Sequence, residues 1–176
     1  QVVAAVGGTE GAIATTEIRR VQGAHTDNLH SYECVLLAKQ YAVLMTAESH
    51  LAARDCLQEV VAKEPTYVEA LAWLGQIYLE EIWSGYNPRQ AGPSSLEAAF
   101  EVLIPAVQLA PDNQKARAML AFAYFSDGDD DQFYDEARIA VAANPNDVET
   151  LSFFAMFIGY AGRWEDSKAL TERLRS

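Results

Sequence analysis

Apolar residues recur at helical spacing through most of the chain, and turn-forming breaks interrupt them at regular intervals. Leu71, Leu74, Gly75 and Tyr78 fall at i, i+3, i+4 and i+7, Leu120, Ala121 and Tyr124 at i, i+1 and i+4, and Leu151, Phe154 and Ala155 at i, i+3 and i+4. That spacing puts apolar side chains on one face of a helix; a half-buried strand would alternate instead. Three prolines close similar tails: Ala62-Lys63-Glu64-Pro65, Gln108-Leu109-Ala110-Pro111 and Ala142-Ala143-Asn144-Pro145. The last two prolines are 34 residues apart and the first two 46 apart, twelve more. A proline stops a helix because its φ is fixed and it has no N–H. The pattern therefore predicts helices in a repeating unit of 34 residues with one enlarged copy.

Extending the register predicts four units, each a pair of helices. Unit one starts near Cys34, with Ala53, Leu57 and Pro65 at its second-helix positions. Unit two starts near Val68, unit three near Gln114 and unit four near Val148. In unit three Phe133 and Ala137 fill the second helix, and in unit four Gly162-Arg163-Trp164-Glu165 forms the turn. Gly75, Ala121 and Ala155 share one slot, where a small residue lets two helices approach. Thr66-x-x-Glu69, Ser94-x-x-Glu97 and, more loosely, Asn146-x-x-Glu149 read as capping boxes that open helices. Pro105 falls within the helix predicted from Ser94, so either that helix bends or it starts later.

The enlarged unit carries twelve extra residues, 82–93, rich in Gly and Pro and holding Trp83 and Tyr86. These aromatics are expected to fold back onto the array, Trp83 being substantially buried against units two and three; the other reading is a lid that contacts a ligand. Residues 1–30 break the pattern: an apolar start, a short helix over 9–21 and a polar connector over 23–28. They read as the end of a preceding domain or as an N-terminal capping helix with its connector, leaving 31–176 for the repeats.

Composition narrows the function. Half of the 176 residues are hydrophobic, which is normal for a folded chain. The net charge of −12 argues against nucleic acid and against an anionic membrane surface, both of which attract Lys and Arg in excess. No apolar run is long enough to span a membrane, and no basic region precedes an apolar stretch at the N-terminus, so a cytoplasmic location is expected. The chain opens with Gln1 rather than Met, and a fragment of a longer parent is expected.

Candidate chemistry is sparse. Cys34 and Cys56 read as two small buried apolar side chains, and with no C-x-x-C pair neither a zinc site nor a redox motif is predicted. His25, His30 and His50 read as incidental surface residues. Asp127-Gly128-Asp129-Asp130-Asp131 does not fit a calcium loop, whose sixth and twelfth positions would be Gln132 and Arg138; it reads as an inter-helix turn whose acids favour the next helix. No catalytic constellation, metal site or cofactor site is predicted. What remains is a groove lined by the first helices: Val35 and Met45 from unit one, Glu69, Gln76 and Glu80 from unit two, Lys115, Phe122 and Phe125 from unit three, and Met156 and Tyr160 from unit four. A protein or peptide is the expected occupant. Leu170 and Leu174 on the last helix make self-association a further expectation.

The unit resembles the tetratricopeptide repeat. Leu71-x-x-Leu74-Gly75-x-x-Tyr78 follows that family's first-helix pattern with Leu for Trp, and Ala99-x-x-x-Leu103 followed by Pro111 follows the second. The resemblance implies an all-α superhelix of about four helix pairs, here with an extra N-terminal helix, serving as a non-catalytic protein-interaction module. Members that clamp a peptide's terminal carboxylate need Lys, Arg or Asn at slots that here hold Ala, Gln, Phe and Met. A second likeness runs along the chain. Glu10-Gly11-Ala12-Ile13-Ala14, Glu17-Ile18-Arg19-Arg20 and Asp27-Asn28-Leu29-His30-Ser31-Tyr32-Glu33-Cys34 resemble the junction after a TolB-like domain. Gly85-Tyr86-Asn87-Pro88, Ala143-Asn144-Pro145-Asn146-Asp147 and Tyr160-Ala161-Gly162-Arg163-Trp164 resemble the downstream repeats of the same bacterial proteins. That likeness implies the C-terminal part of a signalling protein, or a regulatory or oligomerisation element of an upstream adenylate/guanylate cyclase or transcriptional regulator.

Overall fold

The computed structural model describes residues 26–143 and 145–174. Within them lie eight helices and no strand: α1 Thr26–Leu44, α2 Ala47–Lys63, α3 Val68–Trp83, α4 Ser95–Leu109, α5 Gln114–Asp127, α6 Asp130–Ala143, α7 Val148–Tyr160 and α8 Trp164–Arg173. They pack as four consecutive pairs. The first helices α1, α3, α5 and α7 stack on one another, and α2 and α4 each pack onto the first helix that follows. This is an α-α solenoid of helix pairs, as the 34-residue period predicts. The apolar stretch at the start, the helix expected over 9–21 and His25 lie outside the described residues.

Three of the four predicted starts coincide with helix starts, at Val68, Gln114 and Val148. The first does not. α1 begins at Thr26, eight residues before Cys34 and inside the stretch read as a connector. Its apolar residues form no clear stripe, so neither end was marked by pattern.

The predicted core slots are filled as expected. Ala53, Leu57, Ala99, Leu103, Phe133 and Ala137 of the second helices are all buried. A Cβ added to Gly75 would lie 2.4 Å from Leu103 Cγ, so α3 and α4 touch where only glycine fits. Ala121 and Ala155 occupy the equivalent slot and are also buried.

Cap chemistry is partly as read. Ser94 accepts from the Glu97 N–H at 3.2 Å, and Glu97 accepts from the Ser94 N–H at 2.7 Å. Thr66 does not cap α3; Tyr67 holds that position without a side-chain bond. Asp147, not Asn146, caps α7, accepting from the Thr150 N–H at 2.9 Å. An unforeseen box opens α2, where Thr46 accepts from the Ser49 N–H at 3.2 Å. The aspartate run is the α5–α6 turn: Gly128 takes φ 82°, open to glycine without strain, and Asp129 accepts from the Gln132 N–H at 3.1 Å. Pro105 sits inside α4, which runs on to Leu109.

Two readings of single residues are corrected. Cys34 and Cys56 are joined in a disulfide, their Cα atoms 5.3 Å apart, tying α1 to α2. The helices of unit one meet at the face that carries both cysteines. His50 is wholly buried rather than a surface residue. Its Nε2 donates to the Ile77 carbonyl at 3.0 Å, and its Nδ1 accepts from the Asn87 amide at 3.2 Å, so both ring nitrogens are satisfied inside the core.

The insertion is shorter as a loop than the spacing suggested, because Ile82 and Trp83 complete α3. Its remainder folds back onto unit one. The Asn87 amide donates to the Ala47 carbonyl at 2.6 Å, and the Tyr86 hydroxyl to the Met45 carbonyl at 3.0 Å. Arg89 lies 4.9 Å from the centre of the Tyr78 ring.

Candidate functional site

The first helices expose a continuous face, polar at one end and aromatic at the other. At the polar end Lys39 Nζ lies 2.8 Å from Glu69 Oε1, bridging α1 and α3. Lys115 of α5 donates to Gln76 of α3, and its Nζ sits 3.6 Å from the centre of the Trp73 ring. Glu80 follows one turn on and accepts from the Ser84 hydroxyl at 2.8 Å. Tyr41, behind it, has its phenol pushed up to about 12 by burial and then by the neighbouring Glu80 charge.

At the aromatic end α3, α5 and α7 bring rings together. The Trp83 centroid lies 5.4 Å from Phe122, 5.9 Å from Phe125 and 6.2 Å from Phe157. Phe122 lies 4.6 Å from Phe157, which lies 4.7 Å from Phe153 and 5.9 Å from Tyr160. The Trp83 indole N–H donates to Ser126 Oγ at 3.0 Å, and Ser126 donates to the Phe122 carbonyl at 2.7 Å. This fixes the ring in one orientation while leaving 51% of Trp83 exposed. The expectation that Trp83 is substantially buried against units two and three is therefore corrected. Trp83 ends α3 with its ring against Phe122 and Phe125 of unit three and Phe157 of unit four, and half of it faces water.

The other sequence candidates fall in different places. Val35 is fully buried between helices and cannot line a groove. Phe122 is nearly buried and floors the aromatic cluster, with Phe125 half-buried beside it. Met156 and Tyr160 are exposed on α7. Met45 is exposed in the two-residue α1–α2 turn at φ 48°, a conformation costly for a side chain bearing Cβ. Tyr86 is the loop's anchor, not part of the face. Sequence reasoning missed Trp73, Ser126, Phe153 and Phe157. Phe153 and Phe157 are four residues apart, a helical pair that the pattern could have disclosed.

A second concavity is lined by residues of α6 and α8, with Pro145, Ile158 of α7 and Arg163. It is a cleft of about 730 Å³ with Val141, Ile158 and Leu170 in its walls and Arg138, Arg163 and Arg173 around them. Arg163 lies over the Tyr134 ring, 4.3 Å from its centre. Among the described residues no helix is long and apolar enough to cross a membrane.

No protein-family model matches the sequence, and no curated protein matches it. Solved structures do match. A thermophilic tetratricopeptide-repeat protein of Thermus thermophilus, TTC0263, aligns over 98% of this chain and 85% of its own, at 20% identity and a TM-score of 0.69. MamA aligns over 88% and 81%, at 17% identity and a TM-score of 0.57. The O-GlcNAc transferase of Thermobaculum terrenum aligns over 78% of this chain but only 24% of its own, at 18% identity and a TM-score of 0.61. At these identities the likeness is one of fold, and the fold is that of the tetratricopeptide-repeat array.

Proposed function

We propose that this chain is a non-catalytic protein-interaction module whose docking surface is a platform formed by the exposed Trp83 and Tyr160, carried on the buried rings of Phe122 and Phe157. The observation that carries the reading is Trp83. A half-exposed indole held by a hydrogen bond, stacked on Phe125 and touching Phe122 and Phe157, is an anchor of the kind that dominates binding energy at protein interfaces. Met156, Tyr160 and the end of α3 extend the apolar surface around it. Glu69 and Glu80 on the same face, on a chain of net charge −12, favour a partner segment with an apolar side chain flanked by Lys or Arg.

A peptide array probed with the full chain tests this. Peptides with an aromatic or aliphatic anchor and basic flanks are expected to bind. Trp83→Ala and Tyr160→Ala should each weaken binding by roughly tenfold or more, while Glu80→Lys should selectively weaken basic-flanked peptides. Undiminished binding by both aromatic variants would remove the platform from the account.

The finer reading, a module of a bacterial signalling protein with a TolB-like region in the cytoplasm, is supported by the segment resemblances given above. The alternative, a regulatory or oligomerisation element of an upstream cyclase or transcriptional regulator, draws on the same resemblances and on the partly buried Leu170 at the end of the array. Light scattering separates the two: a monomer at every concentration removes self-association.

A further inference from the structure

The disulfide stands among other donor groups. His30 and Cys34 are four residues apart on one face of α1, and Cys56 and Glu59 are three apart on the face of α2 that meets it. His30 Nε2 lies 3.7 Å from Cys34 Sγ. A ring nitrogen of His30 and both sulfurs all lie within 4.8 Å of one another. Glu59 Oε2 lies 3.8 Å from His30 Nε2. A tetrahedral ion bound to sulfur at about 2.3 Å and to nitrogen at about 2.0 Å holds its ligand atoms on the order of 3.5 Å apart. The four side chains come from two paired helices, and the separations of His30 Nε2 from Cys34 Sγ and from Glu59 Oε2, 3.7 Å and 3.8 Å, are near the spacing such an ion requires. Cys34 forms a buried floor, while the side chains of His30 and Glu59 are 44% and 65% exposed and leave a path from solvent.

We propose that the reduced chain holds a divalent zinc-class ion between the His30 imidazole and the Cys34 and Cys56 thiolates, with Glu59 or water in the fourth position. Disulfide and metal-bound dithiolate are then alternative states of one site. The exchange balances. A dithiol reductant gives two electrons and two protons to the Cys34–Cys56 bond, is itself oxidised to a disulfide, and leaves two thiols. The ion then displaces two protons and binds two thiolates. The sulfurs need only part from bonding distance, about 2 Å, to roughly 3.7 Å, a change that side-chain rotation supplies without moving either helix. Thiolate and imidazole donors select zinc-class ions over magnesium or calcium, which require oxygen. The site was hidden in the sequence because its two halves, H-x-x-x-C and C-x-x-E, are each unremarkable until α1 and α2 pair.

The test uses the full chain, reduced with a phosphine, desalted without oxygen and titrated with Co²⁺. One Co²⁺ per chain with a thiolate-to-cobalt charge-transfer band, displaced by Zn²⁺, is expected. The disulfide form should bind none. His30→Ala, which leaves both cysteines in place, should weaken Co²⁺ binding by about tenfold or more, and circular dichroism should show the helices retained. Absence of the band in the reduced wild-type chain overturns the proposal, whether or not the helices persist. So does equal binding by His30→Ala, which would mark adventitious thiol binding, or equal binding by the disulfide form.

Discussion

Arg54 of α2 reaches the carboxylate of Glu81 on α3, Nη1 to Oε1 2.9 Å, and the Glu81 side chain is wholly buried. The same Nη1 donates to the Asn87 carbonyl at 2.8 Å, and Ser95 donates to the other Glu81 oxygen. One buried charge pair therefore joins α2, α3, the insertion and the start of α4. Removing one member strands the other, which costs about 3–5 kcal/mol. Arg54→Met should lower the melting temperature by roughly 10 °C. The Arg54→Met/Glu81→Leu double variant should recover much of that loss in the same thermal melts, because no charge is then left buried alone.

Gly75→Ala places its Cβ against a Leu103 side chain that is itself fully buried and has no room to retreat. Overpacking of this kind costs about 1–3 kcal/mol. In denaturant melts Gly75→Ala combined with Leu103→Ala should be less destabilised than the two single losses added together, since the second change vacates the space that the first needs.

Reducing the Cys34–Cys56 disulfide without supplying metal frees a loop of 22 residues in the unfolded chain. The expected loss is about 3 kcal/mol, on the order of 6–12 °C in a thermal melt with and without reductant. Cys34→Ser/Cys56→Ser should melt near the reduced wild type and show no response to reductant.

Tyr41 sets a limit on the alkaline side. Its phenol is held near 12 in the folded chain against an ordinary 10.0. Between those values the folded state keeps a proton that the unfolded state has released. Its contribution is complete below pH 10 and is lost as the pH rises toward 12. Tyr67, Tyr124 and Tyr134 are shifted in the same direction, burial being the first cause in each. Urea midpoints measured from pH 9 to 12 should fall, and Tyr41→Phe should make the fall shallower without abolishing it.

Local signals determined the repeat. Val68, Gln114 and Val148 could be placed as helix starts, and the Ser94–Glu97 box identified, because periodicity, caps and prolines act over a few residues. The proline spacing marked unit two as the enlarged one, though not the bounds of its loop, since α3 runs to Trp83, and the slot filled by Gly75, Ala121 and Ala155 followed from the packing rule for close helices. What the tertiary structure alone decided depends on how one helix sits against another. Cys34 meets Cys56 because α1 and α2 pair in one register. His50 is buried because the insertion turns back to lay Asn87 on it. Trp83 is half-exposed because its ring, at the end of α3, lies against Phe122 of α5 and Phe157 of α7 and is not enclosed by them. Each of these relations joins residues more than 20 positions apart, where chain chemistry no longer limits the partners and only the geometry of packed helices selects them.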